Sequence, residues 1–156
     1  PRVRNRIAII DLSDLRVKLD EQGMSARIDW MGQLIKQLTS YRQSIGFELL
    51  VFDSLGAFFT LFKSDNPRDD IFRLFEACRR LDLTSFFICE MTGEDHKQFG
   101  VYGVEDYLSD GVMHLTMERK GDDITRKLGV IKMRHTHHQL GYKPINWNSE
   151  DQRFTI

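Results

Sequence analysis

The sequence predicts an α/β fold, in which a mostly parallel sheet is flanked by helices and followed by an antiparallel hairpin extension. Apolar runs of strand length alternate with amphipathic helical patterns from Ile7 to Thr92, and this order implies right-handed crossovers between parallel strands. Two more strand-like segments then flank the turn KGDD. With 156 residues, the chain fits a single domain over residues 1–156.

The first half of the chain supplies two predicted strands and one helix. The apolar run from Ile7 to Leu12 is rich in β-branched residues and passes into Asp and Ser, which predicts a strand. From Ser25, the expected N-cap, apolar residues recur at helical spacing until Gly46, which is expected to close the helix. The segment FELLVFDS is nearly continuously apolar, as in strands buried on both faces of a parallel sheet.

A second helix, another strand and an antiparallel region complete the prediction. The segment RDDIFRLFEACRRLD is amphipathic, and TSFFICEMT is typical of a buried strand. After a short helix around Val104 to Ser109, the hairpin is predicted over GVMHLTMER and ITRKLGVIKMR, with KPINWN and RFTI as small further strands. The inner face of the second helix is predicted to comprise Ile71, Leu74, Phe75, Cys78 and Leu81.

Composition indicates a soluble, cytoplasmic protein. The chain carries 22 basic and 23 acidic residues, so its total charge does not favour a protein spread along nucleic acid. No apolar run approaches the roughly 18 residues that cross a bilayer, and no signal-like region follows the start. Cys78 and Cys89 lie in apolar surroundings without CxxC spacing, and we expect both to be reduced core residues.

Acidic and hydroxyl residues follow the two apolar strands at their carboxyl ends, where open α/β sheets bind ligands. Asp53 is placed to hold Mg²⁺ through a water molecule, with Ser54 hydrogen-bonding beside it. Glu90 and Thr92 emerge on the same edge, where they could respond to the terminal phosphate of a nucleotide. On each segment alone, a capped turn or a solvated strand end explains the same residues.

The segment VIKMRHTHHQLGYKP combines basic residues and histidines. If it is extended, Lys132, Arg134 and Thr136 point one way and His135 and His137 the other. A His-x-His pair binds zinc or copper only with further ligands, and nucleic-acid binding would need more charge and interleaved aromatic residues. The third interpretation is a pair of cations, Lys132 and Arg134, presented to a phosphate, since an arginine supplied in trans can stabilise phosphoryl transfer.

Taken together, these motifs resemble the C-terminal two-thirds of a RecA-type ATPase domain of the KaiC class. The most specific part runs from Tyr102 to His138, where G-V-E-x-Y-x-x-D-G-V, a hairpin and K-x-R-x-T-x-H follow in order. The resemblance implies a RecA-like fold without its N-terminal P-loop strand and helix. It also implies ATP and Mg²⁺ as cofactors and self-association as a ring or dimer.

The resemblance assigns expected roles to individual residues. Asp53 resembles the Walker B aspartate, and Ser54 lies beside it near Mg²⁺. Lys132 and Arg134 match the family's K-x-R pair, which in ring-shaped members reaches the neighbour's nucleotide. The remaining matches are Glu105 and Asp110, in the short helix and strand that lead to the subunit boundary, and His137 or His138, near the family's histidine.

The sequence departs from the family in one respect: it contains no G-x-x-x-x-G-K-[ST] phosphate loop. We therefore expect negligible hydrolysis by these 156 residues alone, although the full-length protein would be an ATPase and a kinase activity remains open. A fragment of a longer protein is favoured over a natural short chain. The alternative function is a non-catalytic oligomerisation or regulatory module, and a metal-binding protein using the histidines is less favoured.

Overall fold

The computed structural model describes residues 7–21, 28–91 and 99–156, and the chain divides into two compact units, Pro1–Glu90 and Met91–Ile156. The mixed α/β class is confirmed, whereas the single domain over residues 1–156 stays a prediction. The first unit contains α1 (Leu12–Glu21), α2 (Trp30–Ile45), β1 (Leu49–Asp53), α3 (Leu55–Leu61), α4 (Pro67–Arg80) and β2 (Thr84–Ile88). The second contains α5 (Glu105–Leu108), β3 (Gly111–Lys120), β4 (Asp123–Met133), β5 (Tyr142–Asn148) and β6 (Arg153–Thr155).

The parallel pair in the first unit is β1 and β2. Their register runs from Leu49 opposite Thr84 to Asp53 opposite Ile88. Parallel strands in this register end at the same edge of the sheet. The chain segments that follow the two strands, from Ser54 and from Cys89, therefore leave the sheet side by side.

Helix ends in the first unit follow from capping residues. Asp29 accepts a hydrogen bond from the Gly32 amide and begins α2, whereas the expected N-cap Ser25 lies outside the described residues. Gly46 closes α2 with φ of 73°, as predicted, because glycine adopts the left-handed conformation without strain. Asn66 caps α4, and Pro67 occupies its first turn, where the missing N–H is harmless.

The core of the first unit is built on aromatic contacts. Phe58 of α3 lies within 5.0 to 5.8 Å, between ring centroids, of Phe52, Phe59 and Phe62. The predicted inner face of α4 is confirmed, with four of its five residues buried and Leu81 packed against the core. Cys78 is buried and Cys89 is half-buried, and burial raises the pKa of the Cys78 thiol.

The predicted strand from Ile7 to Leu12 is wrong. Residues 7–11 form no regular structure, Ile9 is 91% exposed, and α1 begins at Leu12. The Asp11 carboxylate accepts a hydrogen bond from the Ser13 amide at 2.8 Å. This local bond offers the backbone an alternative to strand pairing, because Asp side chains satisfy the free amides at helix starts.

The expectation that the strands are buried on both faces is also wrong for the part of the chain that the structure describes. Along β1 and β2, Leu50, Phe52 and Phe87 pack into the core, while the large apolar side chains that alternate with them are 44% to 58% exposed. Helices of this unit cover one face, and the described residues of the same unit provide no layer against the other. We call the exposed side the outer face; it consists of Leu49, Val51, Phe86 and Ile88.

The second unit is a four-stranded antiparallel sheet in the order β3-β4-β5-β6. The predicted hairpin is confirmed: Lys120 lies opposite Asp123, and Gly121 makes the turn with φ of 64°. The two small predicted strands are β5 and β6. Within the three described ranges, none of the helices is long and apolar enough to cross a membrane.

Candidate functional site

The carboxyl end of β1 places Asp53 and Ser54 in different environments. Asp53 is the last residue of the strand and is exposed, whereas Ser54 is buried and N-caps α3. The Ala57 amide donates to Ser54 Oγ at 3.1 Å, and the Asp53–Ser54 peptide bond is cis. The strand end thus offers one carboxylate to solvent and holds one hydroxyl in a fixed position.

Glu90 lies two residues beyond β2 and meets this hydroxyl. Ser54 Oγ donates to Glu90 Oε1 at 2.6 Å. This hydrogen bond lowers the pKa of Glu90 below its ordinary value, and backbone amides add to the effect while desolvation opposes it. A Cβ at position 56 would press against Glu90 Oε2, so glycine at this position allows the carboxylate to approach α3.

The structure therefore brings three of the predicted site residues, Asp53, Ser54 and Glu90, to one edge of the parallel sheet. Thr92, the fourth residue predicted there, lies outside the described residues. The sequence reasoning identified each residue separately from its strand end. It did not identify the hydrogen bond between Ser54 and Glu90, because the strand register that brings them together is not encoded in either segment alone.

Replacing Ser54 with alanine should raise the pKa of Glu90 toward its ordinary value near 4.5. The variant removes the hydroxyl that stabilises the charged carboxylate. The measurement is the pH dependence of the chemical shift of the Glu90 carboxyl carbon, recorded by NMR in both proteins. Ser64→Ala is the matched control, because Ser64 Oγ makes a similar 2.6 Å bond to Asp70 elsewhere in the unit.

The same variant changes how stability depends on pH. Because the folded-state pKa of Glu90 is lowered, its hydrogen bond contributes fully to the free energy of unfolding when the pH is above the unfolded-state pKa. That contribution is lost as the pH falls through the lowered folded-state value. The pH-dependent part of the stability difference between wild type and Ser54→Ala should therefore vanish in acid. An unchanged Glu90 titration in the variant would show that the hydroxyl does not hold the carboxylate.

Lys132, near the end of β4, contacts the backbone of the α5 region. Its Nζ donates to the Asp106 carbonyl at 2.6 Å and to the Ser109 carbonyl at 2.8 Å. Desolvation lowers the pKa of Lys132, and the positive charge of Arg134 adds to this effect. Two of the three ammonium donors of Lys132 are thus used within the second unit.

Arg134 contacts the same region through more exposed bonds, one of which is longer. Its guanidinium donates to the Tyr107 carbonyl at 2.7 Å and to Asp110 Oδ1 at 3.3 Å. Its backbone amide also donates to the Asp110 carbonyl at 2.8 Å. The two side chains of the Arg134–Asp110 ion pair are 43% and 73% exposed.

The predicted alternation of side chains beyond β4 is wrong. The strand ends at Met133, Arg134 and His135 form a turn, and His135 has φ of 58°. The assumption of an extended segment therefore fails after Met133, and the faces assigned to Arg134, Thr136 and His137 do not follow. Among the described residues, no three His, Cys, Asp or Glu side chains are grouped closely enough to hold a metal ion, so the histidine-based metal site has no ligand set there.

Glu105 is a buried carboxylate in the second unit, identified beforehand only through the family resemblance. It accepts hydrogen bonds from the Tyr102 and Val104 amides, each at 2.9 Å. These bonds fix the loop before α5, and Gly100 lies close to the same carboxylate. The sequence feature that could have identified Glu105 is its position at the start of a short helix. Backbone amides there have no acceptor within the helix, and a carboxylate can supply one.

Comparison with known proteins places this chain in a family. The family model described as "ATPase: KaiC" matches residues 2–150. The circadian clock protein KaiC3 of Synechocystis is 31% identical over 116 residues, which cover 74% of this chain and 23% of that protein. The circadian clock oscillator protein KaiC of Prochlorococcus marinus is 26% identical over 153 residues, covering 94% and 28%.

The chain thus spans about a quarter of the length of these relatives. Among solved structures, a KaiC-like protein from the hyperthermophilic archaeon Pyrococcus horikoshii matches with a TM-score of 0.68 at 21% identity. The match covers 85% of this chain and 60% of that one, and it shows that the fold is RecA-like. Because the family model matches nearly the whole sequence, the chain belongs to the KaiC family of ATPase domains.

Proposed function

We propose that this chain is the C-terminal part of an ATP-binding domain that hydrolyses ATP between subunits of a cytoplasmic homo-oligomer. Asp53 acts as the Walker B aspartate, and Lys132 with Arg134 forms a basic element presented to the ATP of a neighbouring subunit. Membership of the KaiC family supports the general class of this function, that of an ATPase domain. The observation that carries the residue roles in the first unit is the convergence of Asp53, Ser54 and Glu90 at one sheet edge.

The residues at this edge fit Mg²⁺ and a nucleotide. Asp53 offers an exposed carboxylate, and magnesium is usually held by one or two carboxylates, several waters and substrate phosphates. Ser54 lies beside it with its hydroxyl held by Glu90. Bound there through a water on Asp53, Mg²⁺ would neutralise charge on the phosphates.

Glu90 has a geometry suited to sensing the nucleotide. Its carboxylate is charged at neutral pH and is held by Ser54, next to the strand end that carries Asp53. A terminal phosphate arriving at this edge would compete for the Ser54 hydroxyl and repel the Glu90 carboxylate. Glu90 would then respond to the phosphate and pass that state to the segment containing Thr92, which follows it directly in sequence.

The test uses the intact protein that contains these residues. Asp53→Asn should weaken Mg²⁺-dependent ATP binding by about 10- to 100-fold, as is typical when a group that holds a metal through an outer contact is lost. Calorimetric titration with ATP, in the presence and absence of Mg²⁺, measures the effect. Asp65→Asn, at another exposed aspartate of the same unit, is the matched control and should leave both affinities unchanged.

A non-catalytic oligomerisation or regulatory module is the second candidate, favoured by the exposed outer face of β1 and β2. Exposed apolar surface of this kind is typical of sites that meet further polypeptide. This candidate predicts a discrete oligomer without nucleotide, whose ATP affinity and assembly are both indifferent to Asp53→Asn. The same calorimetric titration therefore separates the two functions, since a wild-type Mg²⁺ dependence in Asp53→Asn would contradict the ATPase proposal.

A further inference from the structure

Arg16 of α1 contacts the C-terminal end of α3 and two aromatic rings of the core. Its Nη1 donates to the Leu61 carbonyl at 3.1 Å. Its guanidinium carbon lies 5.5 Å from the centroid of the Trp30 ring and 5.9 Å from that of Phe62, within the range of cation–π attraction. Both rings are buried and their centroids are 4.4 Å apart, so they offer the guanidinium an ordered aromatic surface.

The helix α1 depends on contacts with the rest of the first unit. It has 10 residues, and isolated helices shorter than roughly 12 to 15 residues are marginal in water. Its first residue, Leu12, packs against the core, whereas Val17 is 56% exposed and residues 7–11 form no regular structure. The contacts of Arg16 with α3 and the aromatic rings therefore contribute to whether α1 is formed.

The helix α3 is held at both of its ends. At the N-terminal end, the Ser54 hydroxyl accepts from the Ala57 amide and donates to Glu90. At the C-terminal end, Arg16 donates to the Leu61 carbonyl, one of the last carbonyls of the helix, which have no acceptor role within it. The positive charge of the guanidinium also lies at the negative end of the helix dipole, where a cation is stabilising.

We propose that Arg16 is a positioning residue: by docking α1 on one end of α3, it helps to hold the Ser54 hydroxyl against Glu90 at the other end. The two ends are coupled because α3 has 7 residues, about two turns. Fixing the first turn is the costly step of helix formation, so a helix this short does not unwind at one end and stay formed at the other. Leu55 and Phe58 are buried and keep α3 in the core, which makes the coupling moderate.

This inference goes beyond the proposed function, because it concerns α1 and requires no nucleotide. Docking of α1 and the bond from Ser54 to Glu90 stabilise each other, since coupling between two sites is reciprocal. Any change that draws α1 away from α3 would therefore loosen the Ser54 hydroxyl. If the strand end of β1 binds Mg²⁺ and ATP as proposed above, the position of α1 regulates that site.

The first experiment removes the guanidinium from the 156-residue chain. In Arg16→Met, which lacks the charge and the donors, hydrogen exchange of the α1 amides should accelerate about tenfold. The carboxyl carbon signal of Glu90 should titrate at higher pH than in wild type, because Ser54 then stabilises the carboxylate less. Arg42→Met is the matched control, since Arg42 donates to the Leu81 carbonyl at the end of α4, also at 3.1 Å, and it should change neither measurement.

The second experiment measures the coupling in the opposite direction. Ser54→Ala changes the end of α3 that is far from α1, yet it should accelerate exchange of the α1 amides about threefold. The same substitution in the Arg16→Met background should have a smaller effect, because the contact that links the two helices is already lost. Ser64→Ala, which removes a similar bond to Asp70, is the control and should leave α1 exchange unchanged.

Three results would overturn the inference: unchanged α1 exchange in Arg16→Met, an unchanged Glu90 titration in that variant, or α1 exchange that is indifferent to Ser54→Ala. If Arg16→Met does not fold, Arg16→Gln keeps a side-chain donor and removes the charge. It should shift both measurements in the same directions by less, and wild-type values of both would equally overturn the inference. These measurements need neither ATP nor Asp53, so their outcome is independent of the calorimetric test of the proposed function.

Discussion

Replacing Arg134 with alanine in the proposed homo-oligomer is expected to lower the rate of ATP hydrolysis by roughly 10³- to 10⁵-fold, the usual contribution of an arginine supplied in trans. The reason is electrostatic: negative charge moves between phosphate oxygens during the transfer, and a positioned guanidinium stabilises it. Steady-state release of phosphate measures the effect. The ordered contacts of Arg134 with Tyr107 and Asp110 provide the positioning.

The control for this prediction mixes two defective proteins. Arg134→Ala subunits lack the arginine of the proposed basic element, and Asp53→Asn subunits lack the carboxylate proposed to position Mg²⁺, so each homo-oligomer should be nearly inactive. In a mixed oligomer, some interfaces combine an intact Asp53 with an intact Arg134 from the neighbour, and activity should partly return. If activity does not return although subunit exchange is demonstrated, Arg134 does not act across the interface.

Replacing both Lys132 and Arg134 should abolish turnover while leaving the first unit folded, because neither residue belongs to its core. Loss of Lys132 should additionally loosen the α5 turn, whose Asp106 and Ser109 carbonyls it binds. Circular dichroism and the exchange rates of the first unit are the controls for fold. A loss of activity accompanied by unfolding of that unit would show that the effect is structural.

Local sequence signals predicted most of the individual elements. The spacing of apolar residues identified α2 and α4, and Gly46 ends α2 as expected because the left-handed conformation at a helix end favours glycine. The turn residues of KGDD identified the hairpin of β3 and β4. These features depend on neighbours within a few positions, which a single sequence contains.

The features that were not predicted depend on distant partners. The run from Ile7 has strand composition but pairs with no strand in the described residues, and Asp11 begins a helix instead. The alternation through Arg134 and His135 fails because β4 ends at Met133 and the chain turns at these two residues, with His135 in the left-handed conformation. Propensity alone cannot identify which tertiary contact overrides it.

The same dependence on distant partners limits what the sequence predicts about individual hydrogen bonds in the candidate site. Strand-end position was enough to select Asp53 and Glu90, because the carboxyl ends of parallel strands meet at one edge. It was not enough to predict that Ser54 would bridge α3 and Glu90, or that Lys132 would be bound to carbonyls near α5. Those contacts depend on strand register and helix placement, which only the folded chain supplies.

The largest loss of stability is expected from Phe58→Ala, at about 3 to 5 kcal/mol. Phe58 is buried at the centre of the first unit, where its ring meets those of Phe52, Phe59 and Phe62. Removing it leaves a cavity that these rings fill only partly. Urea unfolding of the 156-residue chain, followed by circular dichroism, measures the change in the free energy of unfolding.

Phe72→Ala is the matched control, because Phe72 lies on α4 with 49% of its surface exposed, and its loss should cost less than about 1 kcal/mol. The Phe58 variant should also disturb the site, since the Phe58 amide donates to the Ser54 carbonyl at 3.1 Å and thereby helps to begin α3 at Ser54. If Phe58→Ala loosens α3, the hydrogen bond from Ser54 to Glu90 weakens and the pKa of Glu90 rises in the folded variant. A stable Phe58→Ala protein with an unchanged Glu90 titration would mean that the core of the first unit does not hold its strand-end carboxylates in place.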